Sequence, residues 1–305
     1  MTRIHPMEII NPSLRTAILE TVAFFDIFDY PLTSFEIWQY LPHSATLLEV
    51  RNILENSVLP LQTDNGFFFL PGREKIIITR RERYNATDQK IKKAHRRLYL
   101  FRWLPGIKLI CLANSLGTHN LRPGGDTDLF IITKQGRLWF VKLCATIIVA
   151  LFGLRPSATK SADQICLSFL VDESALDLSP FRLPTDTYFR YWLAGLMPLY
   201  GEKKSYTALI AANGWLQQEL PNWVYSDAFL DRRFKYNPRS SRLIFGSSLE
   251  KAARFIQARL MSPTIKKLAN HDQRVVVNDH VLKLHTIDRR EQFKNEFNLR
   301  MQRLA

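Results

Sequence analysis

The sequence contains few cysteines and no long uninterrupted apolar run, and each shortage argues against a class of protein. The three cysteines, Cys111, Cys144 and Cys166, stand in apolar surroundings without paired spacing, which argues against a disulfide framework or a cysteine-rich metal site. One nearly continuous apolar run, Leu138 to Leu154, is shorter than the about 20 residues of a membrane span and is interrupted by Lys142. The favoured interpretation of this run is a helix buried against a sheet, and the alternative is peripheral contact with a membrane.

The first residues of the chain also lack the apolar core of a secretory signal. We therefore expect a cytoplasmic protein, for which an association with membranes is disfavoured. Acidic residues are outnumbered as well, because 42 lysines and arginines oppose 28 aspartates and glutamates, which gives a net charge of +14 and a pI near 9.8. Such a charge favours polyanionic partners such as nucleic acids or nucleotides.

The chain has enough apolar residues for two or three folded domains. It has 305 residues, of which 46% are hydrophobic and 12% aromatic. We expect an α+β protein in three parts: a winged helix-turn-helix over 1–85, an α/β-type sheet domain with flanking helices and a leading basic helix over 86–180, and a helical region over 181–305.

Local signals predict the winged helix-turn-helix. Apolar residues recur at helical spacing over 13–28, and the segments 33–36 and 46–49 both match the capping box that starts a helix. Asn65-Gly66 between apolar segments then predicts a hairpin. Such a module can bind DNA, but the expected recognition helix, at about 47–58, carries Glu49 and Glu55, so a structural or protein-docking role is favoured over sequence-specific DNA binding.

The residues that point to chemistry lie in the middle of the chain. Asp126 and Asp128 stand one residue apart at the start of an apolar strand, so both side chains are expected on the same side, where they can share a hard cation. Upstream, the predicted strand 107–113 is followed by a turn that contains Ser115 and Gly117. Backbone amides left free at such a strand-to-helix turn bind phosphate.

This pattern resembles the DNA polymerase β-like nucleotidyltransferases, in which Gly-Ser, a short helix and Asp-x-Asp follow one another at similar spacing. The match covers residues 107 to about 172. The combination with an N-terminal winged helix also resembles a group of uncharacterised prokaryotic nucleotidyltransferase-domain proteins. The resemblance implies that Asp126 and Asp128 hold Mg²⁺ or Mn²⁺ while a nucleoside monophosphate is transferred from a nucleoside triphosphate to an acceptor. It also implies that Ser115 contacts the triphosphate, and we expect Asn114, Gly117 and Arg122 of the same turn and loop to contribute to nucleotide binding.

The sequence departs from the family pattern in two places. Asn114 stands where the family has glycine, although asparagine tolerates a positive φ better than most residues. The third carboxylate of the family is expected on the next strand, 165–171, whose middle positions hold Cys166 and Ser168 instead. Asp172 at the end of that strand, or less favourably Asp163 before it, is the candidate replacement.

Two functions therefore remain open at the level of sequence. The first is a Mg²⁺-dependent nucleotidyltransferase whose acceptor is an RNA, a protein or a small molecule. The second is a regulator without catalytic activity, in which the pocket senses nucleotide and the winged helix binds DNA or a protein.

Overall fold

The structure is a computed structural model that describes residues 13–114, 119–121, 124–155, 164–184, 186–224 and 247–304, apart from the side chains of Arg102, Trp103 and Ser247. Its described helices are α1 Leu14–Asp26, α2 Ser34–Gln39, α3 Leu47–Asn56, α4 Ile76–Leu98, α5 Leu138–Leu151, α6 Thr187–Ala194, α7 Lys203–Ala212, α8 Trp215–Glu219, α9 Ser247–Leu260, α10 Pro263–Leu268 and α11 Arg290–Leu304. Its described strands are β1 Leu32–Thr33, β2 Gln62–Asp64, β3 Phe67–Phe69, β4 Ile107–Leu112, β5 Thr127–Thr133, β6 Ile165–Asp172, β7 Met197–Gly201, β8 Val275–Val277 and β9 Val281–Leu284.

The protein is a mixed α+β protein with two compact units. One unit comprises the described residues of Met1–Thr79, Gln217–Val224 and Asn295–Ala305, and the other those of Arg80–Leu216 and Tyr225–Lys294. The first boundary lies close to the end of the predicted N-terminal part. The predicted region 181–305, in contrast, contributes to both units.

In the first unit, the two capped helices and the hairpin form where the sequence predicts them. Thr33 and Thr46 each accept a hydrogen bond from the amide three residues on, and Glu36 and Glu49 accept the return bonds, so both capping boxes are confirmed. The Asn65-Gly66 hairpin is confirmed too: both residues have positive φ, as the tight turn between β2 and β3 requires. The strands form a three-stranded antiparallel sheet in the order β1-β3-β2.

The second unit is built on a six-stranded sheet in the order β7-β4-β5-β6-β9-β8. Only β5 and β6 run parallel, and α5 is the crossover between them; the other neighbouring strands are antiparallel. The end of β4, the start of β5 and the start of β6 therefore lie at the same edge of the sheet. Three chain segments that are far apart in sequence meet at this edge.

The two faces of the sheet are covered differently. On one face, α4, α5 and α9 pack against aliphatic side chains such as Ile131, in a continuous apolar core. On the other face, the rings of Phe130 and Phe169 meet edge to face at 5.1 Å, and Trp192 of α6 stacks on Phe169. The side chains of Phe130 and Ile131 point to opposite faces because neighbouring strand residues alternate.

The predicted helix at 138–154 forms as α5, with Leu138, Val141 and Ala145 buried against the sheet. Among the described residues, none of the helices combines the length and the apolar character that a membrane span needs.

The C-terminal region, expected to be helical over 181–305, contains strands as well. Helix α6 ends at Ala194, and Pro198, which cannot continue a helix, lies in the edge strand β7 over 197–201. Helices α7 and α8 are separated by Asn213-Gly214. The hairpin β8–β9 went unpredicted, although Val275-Val276-Val277 and Val281-Leu282 have the β-branched composition of strands.

Candidate metal and nucleotide site

The site lies at the edge where β4 ends and β5 and β6 begin. Asn114 follows β4, Asp126 immediately precedes β5, and Asp128 is the second residue of β5. Cys166 is the second residue of β6 and is the register partner of Asp128 across the parallel strand pair. The antiparallel and parallel pairings of β5 therefore bring together residues from three segments that are distant in sequence.

Asp126, Asp128 and Cys166 form a group that could hold a metal ion. One ligand atom of each residue, a carboxylate oxygen or the sulfur, lies within 4.8 Å of the others, and all three residues are partly buried. The two carboxylates thus converge on one side of the strand, as the Asp-x-Asp spacing predicts. Their oxygens suit Mg²⁺ or Mn²⁺, whereas the sulfur of Cys166 is a soft donor that these cations do not seek.

The carboxylates have raised pKa values without a cation. Burial raises the pKa of Asp126, and burial followed by the neighbouring charge of Asp126 raises the pKa of Asp128 to about 6. The charge of Lys90 opposes both shifts. A bound cation would replace the lost hydration and the proton, so the two carboxylates are arranged to favour the binding of a cation.

Asn114 supports Asp128 instead of extending toward the loop that follows it. Its side-chain amide donates a hydrogen bond of 2.6 Å to Oδ2 of Asp128, and its carbonyl oxygen accepts one of 3.3 Å from the hydroxyl of Tyr188. The φ of Asn114 is +55°, a left-handed conformation in which glycine is at ease and asparagine is the next best residue. Asparagine thus keeps the backbone conformation and fixes one carboxylate.

Two lysines flank the site. Lys90 of α4 is 7% exposed and donates to the carbonyl oxygen of Gly125, next to Asp126. Lys142 of α5 donates to the carbonyl oxygen of Leu167 at 2.6 Å. Burial lowers the pKa of Lys142 to about 8, and the nearby Cys166 thiol group opposes that shift.

Asp172 does not belong to this group. It is the last residue of β6, six positions beyond Cys166, which places it about 20 Å along the strand. Its carboxylate is buried and binds His280 Nδ1 at 2.9 Å and Ser174 Oγ at 2.6 Å. The assignment of Asp172 as a third catalytic carboxylate is therefore corrected: this residue stabilises the far end of the strand, and Cys166 takes the third position beside the dyad.

A pocket of about 260 Å³ opens next to Asn114, on the aromatic face of the sheet. Most of its lining residues are aromatic or charged, and they include Tyr188, Trp192, Lys283 and His285.

The basic residues at one wall of the pocket differ in their burial, their pKa values and their contacts. Lys283 is 6% exposed, and burial lowers its pKa to about 8. Burial also lowers the pKa of His285 to about 4, and its buried Nε2 has no hydrogen-bond partner among the described residues. Arg290 is already engaged by Asp186 and Asp288 at 2.8 and 2.6 Å. Lys283 also donates to the carbonyl oxygen of Gln273, so the neutral imidazole of His285 offers the polar atom at this wall that has no described partner.

Sequence reasoning missed these pocket residues. Lys283 lies in the unpredicted strand β9, and His285 directly follows that strand. Because β9 pairs with β6, Lys283 lies opposite Phe169. The signal that could have located them is the valine-rich hairpin sequence before them. Four further candidates, Ser115, Gly117, Arg122 and Asp163, lie outside the described residues.

The expected basic helix is α4, and three of its side chains contact described residues that precede the dyad in sequence. Arg83 donates to Asn120 at 3.1 Å, and the hydroxyl of Thr87 accepts a hydrogen bond from the amide of Leu121 at 3.2 Å. Lys90, one turn further on, donates to the carbonyl oxygen of Gly125.

No protein-family model, curated protein or solved structure matches this chain, so its function is inferred from the residues of the site itself.

Proposed function

We propose that this protein is a divalent-cation-dependent nucleotidyltransferase. The observation that carries the proposal is the convergence of Asp126 and Asp128 at the sheet edge, with raised pKa values and no arginine or lysine in an ion pair with either among the described contacts. Two buried carboxylates in this arrangement are unfavourable without a cation, and their donor type suits a cation that carries phosphates. The resemblance of the sequence to the polymerase β-like superfamily supports the same activity.

The residues have distinct roles in this proposal. Asp126 and Asp128 hold the cation, and the hydrogen bond from Asn114 fixes the orientation of Asp128. Lys90 offsets part of the negative charge before the cation binds. The bound cation supplies charge neutralisation on the phosphates and activation of the attacking oxygen.

The pocket beside Asn114 is a candidate position for the planar or apolar part of a ligand. Its volume of about 260 Å³ matches a single small ring system better than a polymer segment. Tyr188 and Trp192 offer ring faces for stacking, and Lys283 offers a charge for an anionic group. This combination favours a small-molecule acceptor or the base of the nucleotide at this position.

One observation favours the second candidate, a nucleotide-sensing regulator. The third position beside the dyad is Cys166, and Asp172 is distant, so no third carboxylate of the described residues is at hand to act as general base. In this alternative the three helices and the small sheet of the first unit act as a winged helix that binds a partner. Arg51 of α3 is paired with Glu55 at 3.6 Å, which favours a protein partner over DNA.

Label transfer separates the two candidates. Purified protein is incubated with Mn²⁺ and each of the four α-³²P-labelled nucleoside triphosphates, with cellular RNA, protein and small-molecule fractions as acceptors. The nucleotidyltransferase predicts transfer of label that Asp128→Asn abolishes and Asp172→Asn leaves within about twofold of wild type. Cation-dependent nucleotide binding without any transfer or pyrophosphate release supports the regulator, and transfer that survives Asp128→Asn contradicts the proposed mechanism.

A further inference from the structure

The third donor of the proposed cation site is a thiol, and this has a consequence for the choice of cation. Cys166 Sγ lies within 4.8 Å of one carboxylate oxygen of both Asp126 and Asp128. The thiol lies close enough to the dyad for each group to affect the pKa of the other: the thiol opposes the rise in the pKa of Asp128, and the carboxylate of Asp128 raises the pKa of the thiol. The sulfur therefore lies beside the dyad.

The position of Cys166 distinguishes it from the other two cysteines. Cys111 lies inside the sheet and is fully buried, and Cys144 lies on α5 with apolar neighbours. Neither belongs to a group of possible metal ligands among the described residues. Of the three cysteines, Cys166 is the one that lies opposite Asp128 across the strand pair and close to both carboxylates. Its position is therefore not explained by apolar packing alone.

The donor set determines which cations bind best. Carboxylates accept Mg²⁺, Mn²⁺ and Zn²⁺, but a thiolate binds Zn²⁺ and its relatives strongly and Mg²⁺ hardly at all. Three protein ligands with a free fourth position is also the arrangement of catalytic zinc sites. We propose that Asp126, Asp128 and Cys166 together bind a thiophilic divalent cation of the Zn²⁺ class in preference to Mg²⁺.

This inference rests on the proposed cation site and names the class of cation that it uses. The binding step balances as follows: the Cys166 S–H bond breaks, the sulfur forms a bond to the cation, and the proton leaves to solvent. Two carboxylates, one thiolate and one dication leave a net charge of about −1. Burial raises the pKa of Cys166 to about 12, which the nearby ammonium of Lys142 only partly opposes, so in this proposal the cation itself displaces the proton.

Titration of the metal-free protein with Co²⁺ and Cd²⁺ tests the inference, because a thiolate bound to either ion gives a charge-transfer absorption band. Wild type and the matched control Cys144→Ser should both show the band at one equivalent, with release of one proton per ion. Cys166→Ser should lose the band and bind Zn²⁺ about 100-fold more weakly, while Mn²⁺ binding falls much less. Cys166→Asp, which supplies a hard donor, should gain affinity for Mg²⁺.

The outcomes separate this inference from the proposed function. If wild type binds Mn²⁺ through the dyad but gives no charge-transfer band, Cys166 is not a ligand and the inference is overturned, whereas the nucleotidyltransferase proposal stands. If Cys166→Ser retains the band or the full Zn²⁺ affinity, the inference is overturned as well. If wild type binds none of these cations, the inference and the proposed cation site fail together. Circular dichroism of each variant verifies that the fold is intact.

Discussion

At the scale of single residues, the position of Asp128 is unfavourable for folding and suited to holding a cation. Asp128 is held by Asn114, faces Asp126 and Cys166, and has a pKa raised to about 6 chiefly by burial. Its charged form is destabilised relative to the unfolded chain, in which the carboxyl has its ordinary pKa of 3.8. The protein tolerates this cost at a position where a cation can remove it.

The pH dependence of stability follows from the raised pKa of Asp128. Since the folded protein binds the proton more tightly, the contribution of this group is fully present below about pH 4 and is lost as the pH rises to about 6. Asp128→Asn should therefore stabilise the cation-free protein at pH 7 by up to about 3 kcal/mol, and by nothing near pH 4. Urea unfolding in EDTA at both pH values measures the difference. A variant that is no more stable than wild type at pH 7 would contradict this account of Asp128.

Asn114 offers a second prediction at this scale. Asn114→Gly keeps the backbone conformation, since glycine accepts the φ of +55° without strain, but it removes the 2.6 Å hydrogen bond to Asp128. We expect the affinity for Mn²⁺ to fall about tenfold while the melting temperature changes little. Asn114→Ala should lower both the affinity and the stability, because alanine in this conformation costs about 1 kcal/mol or more. Equal Mn²⁺ affinity in wild type and Asn114→Gly would show that the hydrogen bond does not orient Asp128.

At the scale of elements, the sequence predicted most clearly the pieces that local chemistry determines. The capping boxes, the Asn65-Gly66 turn and the strands around the Asp-x-Asp segment all form as expected, because each depends on neighbours in sequence. The strands β7 and β9 were missed because their stability comes from pairing with β4 and β6, which are distant in sequence. Asp172 was misassigned for a related reason. The alternation of residues along a strand predicts the face of the sheet on which a side chain lies, but not the end of the strand at which the site is found.

The edge strand β7 contains a position that tests the sheet. Gly201 has a φ of +124°, and a Cβ atom there would lie 2.8 Å from Cα of Leu109, with the carbonyl of Lys108 closer still. Both obstacles are backbone atoms of the neighbouring strand, which cannot move aside cheaply. Gly201→Ala should lower the free energy of unfolding of this unit by about 3 kcal/mol. The control Gly136→Ala has a positive φ but open space around it, so it should cost only about 1 kcal/mol. Equal losses in the two variants would show that β7 does not pack tightly on β4.

At the scale of the whole molecule, each compact unit is assembled from distant parts of the chain. In the first unit, Arg73 and Arg300 both bind the carboxylate of Asp26, at 3.0 and 2.8 Å. Asn222 accepts the amide of Ala45 and donates to two carbonyl groups of the same segment. The unit is therefore not specified by the first 85 residues alone. No local sequence pattern predicts these contacts, because they join polar residues that are up to 274 positions apart.

The cluster around Asp26 gives a prediction at this scale. Asp26→Ala leaves two arginines without their buried carboxylate and should destabilise the first unit by about 3 kcal/mol or more. Arg51→Ala removes an ion pair whose side chains are 57% and 59% exposed, so it should change stability by less than about 1 kcal/mol. Hydrogen exchange of the α1 amides reports the stability of this unit. Similar protection in Asp26→Ala and Arg51→Ala would contradict a structural role for the cluster.

The central claim is that Asp126 and Asp128 jointly bind a divalent cation, and calorimetric titration with Mn²⁺ at pH 7.5 tests it most directly, because Mn²⁺ prefers carboxylate ligands and therefore reports on the two aspartates. We predict that wild type binds one or two ions, that Asp128→Asn binds at least about 100-fold more weakly, and that Asp172→Asn binds as wild type does. Failure of wild type to bind Mn²⁺, or binding by Asp128→Asn with wild-type affinity, would contradict the account.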